Sequence, residues 1–152
     1  MGSFDELAAE LGVAEAFLPD RPEERALLQR LSHEVFIANS EVASPASASK
    51  AGHRIEPRHV RRLEDETDRY ASSLDPIHSF VLPRGGPGGA HLQFSRTLAR
   101  RAERDLWALN AEEPQREPLL QWANRLSSLL FAVALAVNRA EGFAEIPPDY
   151  SV

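Results

Sequence analysis

Arg96, Arg100 and Arg104 stand four residues apart in the stretch HLQFSRTLARRAERDLW, with Glu103 among them. On a helix turning about 100° per residue, Leu92, Ser95, Ala99, Ala102, Leu106 and Leu109 form an apolar stripe, and small residues at its middle let a neighbour approach closely. Arg96, Arg100 and Glu103 lie along the edge of that stripe, Trp107 follows one turn later, and Arg101 points to solvent. Charges beside a core are tolerated when paired, because desolvating an isolated charge is costly. Two readings fit. One is an intrahelical Glu103–Arg100 pair with Arg96 snorkelling to water. The other is a cationic cluster that holds a polyanion such as a nucleotide triphosphate. Just upstream, Arg84-Gly85-Gly86-Pro87-Gly88-Gly89 delivers backbone to the helix start, where free N–H groups and the dipole favour anions. Between Arg84 and Arg104, five arginines face the single acid Glu103. The loop lacks the Gly-Lys-Ser/Thr ending of a P-loop, and a plain connector is its other reading.

A later apolar helix carries a polar row, Asn124 and Ser128 one turn apart, with Phe131 on the same side. Such residues either face a ligand or bond back to their own helix. Asp5 offers a carboxylate on the first turn of the first helix, either as a dipole acid or as a partner for an arginine across the bundle. The histidines His33, His53, His59, His78 and His91 show no HxxxH or HExxH spacing, so no metal site is expected, although His59 and Glu56, or His78 and Asp75, can meet locally. No Gly-x-Ser-x-Gly elbow occurs.

The elements that carry these groups read as five helices and no strand, an all-α bundle in a single domain over residues 1–152. Helix one starts at a Ser3/Glu6 capping box and runs to about Phe17, with Leu7, Leu11, Ala14 and Leu18 inward. Asp20 is expected to cap helix two, with Pro22 in its first turn and Leu27, Leu28, Leu31, Val35 and Val42 buried. Ser44 to Gly52 reads as a mobile loop. Helix three starts at Pro57 and turns Val60, Leu63 and Thr67 inward. A second loop, DPIHSFVLPRGGPGG, leads to helix four, from about Ala90 to Leu109. Helix five presents Leu119, Ala123, Leu126, Leu130, Val133 and Val137 to the core and ends before Gly142, a natural αL terminator. Its apolar run from Leu126 to Val137 is shorter than the roughly 20 residues needed to span a bilayer.

The 152 residues carry 17 Lys+Arg against 23 Asp+Glu, a net charge of −6, which argues against nucleic-acid and membrane-surface binding. Lys50 is the only lysine, so every other strong base is an arginine. With no cysteine, disulfides and thiolate chemistry are excluded, and a cytoplasmic location is expected.

Phe80-Val81-Leu82-Pro83, Ser95-Arg96-Thr97 with Arg100-Arg101-Ala102-Glu103-Arg104, and Asn124-Arg125-Leu126-Ser127 followed by Leu130-Phe131 occur in that order. Together they resemble the PduO-type ATP:corrinoid adenosyltransferases. Gly2-x-x-Asp5-Glu6-Leu7 is similar to that family's GxxDEL segment. The resemblance implies a five-helix bundle that assembles as a homotrimer with intersubunit sites. It also implies transfer of the 5′-deoxyadenosyl group of ATP, taken up with Mg2+, to the cobalt of reduced cobalamin. It places Arg96 opposite Asp5 of a neighbouring subunit. Arg100 and Arg104 fall on the phosphate side, and Glu103, Asn124 and Ser128 line the nucleotide. Phe80 is the aromatic that displaces the lower axial ligand, which makes the cobalt easier to reduce. Hand-over of the product to a cobalamin-dependent enzyme is a further implied partner.

The sequence departs from the family at several of these places. Ala8-Ala9 replace Asn-Ser after the DEL, Arg84 takes a glycine position, and Gln93 stands for a histidine. Ser128 stands for an aspartate, and Leu135 for an arginine. The family's triphosphate-wrapping loop ahead of GxxDEL is expected to be absent from residues 1–152. These departures keep a second reading open, a non-catalytic cobalamin- or nucleotide-binding relative that serves as carrier, sensor or partner subunit.

Overall fold

A computed structural model describes residues 1–44 and 53–152, and among them lie five helices and no strand. They are α1 (Gly2–Ala16), α2 (Pro22–Ala43), α3 (Pro57–Ser72), α4 (Pro87–Glu112) and α5 (Glu117–Ala140). The loop read from Ser44 to Gly52, including Lys50, lies outside the described residues except for Ser44.

The apolar stripes decide the packing. α1 rests on α2 and α4, and α5 rests on α4 and α3. The ring closes between α2 and α3 through polar contacts, an Arg30–Glu66 pair and the Tyr70 hydroxyl on Glu24 at 3.3 Å. All six core positions expected on α5 are buried, and so are Leu7, Leu11, Ala14 and Leu18 beside α1. Phe4 and Trp122 meet at the centre with ring centroids 6.2 Å apart, and the indole N–H donates to buried Glu34 at 2.9 Å. α5 is long and apolar enough to cross a membrane by composition. Its apolar surface is instead buried by the surrounding helices, because residues beyond the expected stripe, among them Leu129, Ala134 and Leu135, are buried too.

α4 and α5 run antiparallel in a heptad register. Gly89 meets Asn138, Arg96 meets Phe131, and Glu103 meets Asn124. Two turns separate successive contacts on each helix, as expected where i±3 and i±4 ridges interlock.

Several helix starts differ from those the sequence suggested. α1 begins at Gly2 because the Met1 carbonyl accepts the N–H groups of Phe4 and Asp5. Ser3 is therefore buried inside the helix with its hydroxyl unpartnered. No Ser3/Glu6 capping box forms, and Glu6 pairs with Arg101 of α4 at 2.8 Å. Asp20 does not cap α2; that position is Arg21, with Pro22 in the first turn as expected. α3 has the capping box that α1 lacks: the Glu56 N–H donates to His59 Nδ1 at 2.8 Å, which gives this histidine a structural task.

α4 starts at Pro87, one turn ahead of the expected Ala90. The cause is Asn138, 4% exposed on α5, whose Oδ1 accepts the Gly86 N–H at 3.1 Å while its Nδ2 donates to the Arg84 carbonyl at 3.0 Å. A Cβ on Gly89 would stand 1.8 Å from Asn138 Oδ1, so only glycine permits this approach. Just past the same end of α5, Gly142 adopts φ 84. The N–H groups of Gly142 and Phe143 return to the carbonyls of Arg139 and Asn138, a complete Schellman motif.

Asn138→Leu keeps the branched shape and removes both bonds, leaving the buried Gly86 N–H and the part-buried Arg84 carbonyl without their partner. It should lower stability by about 3 kcal/mol and Tm by roughly 10 °C, read by thermal melting. A change under 2 °C would mean that the loop does not depend on this side chain.

Candidate functional site

The loop between α3 and α4 crosses the outer faces of α4 and α5, and a cleft of about 430 Å³ opens beneath it. Ile77, Ser79, Phe80 and Val81 line it from the loop, Gln93, Arg96 and Arg100 from α4, and Ser127, Ser128 and Phe131 from α5. Helical spacing aligns the last six, since residues three and four apart share a face. The loop is held from behind by the Asn138 bonds and by the Leu82 N–H on the Ile146 carbonyl at 2.8 Å. Its tip stands clear: Phe80 is 82% exposed. A second hollow, about 520 Å³, lies on the far side of Phe80 against Pro147, Pro148 and Tyr150 of the C-terminal segment. An aromatic ring between two hollows, with so little of its surface buried, does nothing for the core.

The cleft is cationic. Arg96 is half-buried, donates from Nε to Gln93 Oε1 at 2.9 Å, and lies with its guanidinium carbon 5.8 Å from the Phe131 ring centroid. Among the described residues it forms no ion pair. Burial first, and then the charge of Arg100, hold its pKa below the usual guanidinium value. It nonetheless stays protonated at neutral pH. Arg100 is largely exposed, and its nearest carboxylate, Glu103, is 3.9 Å away. Glu103 is engaged elsewhere: it accepts from Asn124 Nδ2 at 2.7 Å. Asn124 in turn accepts from Arg125, whose Nε donates to Glu64 at 2.9 Å. The intrahelical pair read from spacing is therefore loose, and Arg96 is held by Gln93 rather than snorkelling freely.

Of the residues singled out in the sequence, Phe80, Arg96, Arg100 and Ser128 meet in the cleft. Glu103 and Asn124 are joined beyond Arg100, along the same pair of helices. Arg104 is exposed and does not line the cleft. Asp5 lies outside it within the chain and accepts from Asn39 of α2 at 2.8 Å. The glycine-rich loop is held against the bundle. Gly86 donates to Asn138, and Gly88 and Gly89 are buried against Leu18 and Asn138, so the segment is a packing joint. Ile77 and Ser79 belong to no motif of the sequence, and Val81 and Ser127 enter it only as motif members without a site role. The polar row of Asn124 and Ser128 with Phe131 on the same side is the local signal for this wall. Asn138 had no signal, because its partners are more than fifty positions away. Among the described residues no cluster of three or more His, Asp or Glu groups is placed to hold a metal.

Fold and cleft together define an all-α protein that can receive an anionic ligand beside a broad apolar surface. The chain belongs to the cobalamin adenosyltransferase family, whose model matches residues 1–137. It is 37% identical over 136 residues to the corrinoid adenosyltransferase PduO of Salmonella typhimurium, which covers 89% of this chain and 40% of that protein. The cobalamin adenosyltransferase of Cupriavidus metallidurans is 35% identical over 147 residues, 96% of this chain and 77% of its own length. Among solved structures, a variant PduO-type ATP:corrinoid adenosyltransferase from Lactobacillus reuteri, complexed with cobalamin and ATP, superposes with a TM-score of 0.90 at 25% identity. That match covers 98% of this chain and 81% of the other. The chain thus spans less than half of the Salmonella relative and about three quarters of the Cupriavidus one.

Proposed function

We propose that the protein transfers the 5′-deoxyadenosyl group of ATP to the cobalt of reduced cobalamin. The observation that carries this reading is Arg96, a half-buried cation with no carboxylate partner among the described residues, in one cleft with Arg100 and beneath the exposed Phe80. The named activities of the relatives support it, as does the solved neighbour that holds both substrates. In the reaction the reduced corrinoid supplies the nucleophile, the bond between C5′ and oxygen in ATP breaks, and triphosphate leaves. Arg100, with Arg104 farther along α4, faces that departing polyanion and offsets its growing charge. Glu103 and Asn124, already bonded to each other, contact the nucleotide as a preset pair, and Ser128 adds a hydroxyl to the cleft wall. Phe80 covers the lower face of the corrinoid and excludes an axial ligand there.

We further propose a homotrimer in which Arg96 pairs with Asp5 of the neighbouring subunit. That partner would supply the carboxylate missing from the chain's own cleft. Product hand-over to a cobalamin-dependent enzyme belongs to the same proposal.

Incubation with MgATP and chemically reduced cobalamin under anaerobic conditions should convert the absorbance spectrum to that of the adenosyl form. No conversion together with no ATP binding would overturn the enzymatic reading, while cobalamin binding without turnover would assign the carrier role. A solution mass three times that of the chain is expected; a stable monomer would remove the intersubunit pair.

A further inference from the structure

Gln93 is the most buried of the polar cleft residues to which the reaction above assigns no task. It lies on α4 one turn before Arg96, is 2% exposed, and lines the cleft. A carboxamide this buried needs partners for both of its ends. The orientation of the amide follows from its neighbour. Arginine can only donate, so the atom 2.9 Å from Arg96 Nε is the carboxamide oxygen, and the NH2 end points elsewhere. That end has no hydrogen-bond partner among the described residues, yet it is not among the fully enclosed unpartnered groups. The cleft is the opening it has.

The consequence for Arg96 is equally direct. A long arginine side chain has many rotamers, and here its Nε is tied to a side chain of its own helix while the Phe131 ring flanks the guanidinium. The bond uses Nε and leaves both terminal amino groups free. A neutral acceptor at Nε does this while leaving the charge and both terminal amino groups to meet the carboxylate proposed from the neighbouring subunit.

We propose that Gln93 is a positioning and specificity residue: its carboxamide oxygen holds Arg96 in the cleft, and its free NH2 donates to a carboxamide carbonyl on the rim of the corrinoid. The second half rests on the adenosyltransferase reading; the first half stands without it.

Two variants separate the two roles. Gln93→Leu keeps the bulk and loses both acceptor and donor, while Gln93→Glu keeps the acceptor and loses the donor. Solvent exchange of the Arg96 Nε–H, followed by NMR and assigned by its disappearance in Arg96→Lys, needs no substrate. Exchange should be slow in the parent, about 10-fold faster in Gln93→Leu, and slow again in Gln93→Glu. Both variants should raise KM for cobalamin roughly 10-fold, and Gln93→Leu should leave KM for ATP within about two-fold. Unchanged exchange in Gln93→Leu would overturn the positioning role, and a parental cobalamin KM in Gln93→Glu would overturn the donor role. If the parent chain transfers no adenosyl group, the adenosyltransferase reading fails. Calorimetric cobalamin affinity then replaces KM, and the exchange measurement still decides the first half.

Discussion

Arg96→Met should lower kcat/KM for adenosyl transfer by roughly 1000-fold while the melting temperature stays within a few degrees of the parent. The two halves of that result have one physical origin. Burial and the neighbouring Arg100 both disfavour the Arg96 charge, which largely offsets what its bond to Gln93 and its contact with Phe131 contribute to the isolated chain. Methionine fills most of the same space and still packs on Phe131. What is lost is a fixed donor in the cleft, the kind of preset electrostatic group that contributes most when water is excluded. Arg96→Lys should recover only a small part, because an ammonium has no Nε to meet Gln93 and no planar fork to meet a carboxylate. Asp5→Asn tests the proposed intersubunit pair in the same assay. If the pair forms, the Asp5→Asn and Arg96→Met losses should be strongly non-additive in the double variant. Activity close to the parent in Arg96→Met would remove this residue from the mechanism.

Phe80→Ala should cost roughly 100-fold in kcat/KM, about 2.7 kcal/mol of transition-state free energy, with no measurable change in Tm. Truncating a buried phenylalanine costs about 3–5 kcal/mol of stability, and Phe4, 1% exposed beside Trp122, is expected to behave that way. Phe80 is 82% exposed and leaves no cavity when truncated. Its ring has surface to offer a planar ligand and nothing to offer the fold. Phe80→Trp should retain most of the activity, since it preserves an apolar face at the same rim. A loss of Tm comparable to that of Phe4→Ala would show that Phe80 is structural after all.

Local periodicity made a good part of this legible. Leu119, Ala123, Leu126, Leu130, Val133 and Val137 mark the core face of α5 because helix geometry repeats over three and four residues, and the same rule placed Arg96 and Arg100 on one edge of α4. The Gly142 terminator was equally local, since a positive φ is a property of one residue and its immediate neighbours. Helix starts were less legible. At α1 the Met1 carbonyl takes the place expected for the Ser3 cap, and at α4 the start is set by Asn138 reaching across from α5, so the outcome depends on which group the packing delivers. Glu34, buried and bonded to the Trp122 indole, gave no local sign of its role for the same reason.

The amino-acid sequence by itself determined an all-α chain, five apolar stripes, an arginine-rich edge on the fourth helix, and the motifs of the family to which the chain belongs. Tertiary structure decided which arginines are already engaged. Glu6 takes Arg101, Glu41 takes Arg116, Glu64 takes Arg125, and Glu145 takes Arg139. Arg96 is left half-buried, without a carboxylate among the described residues, facing the cleft under Phe80. Periodicity is a property of neighbours along the chain, whereas pairing and desolvation depend on distance through space, and the carboxylates of Glu6, Glu41 and Glu64 come from sixty or more residues away in sequence.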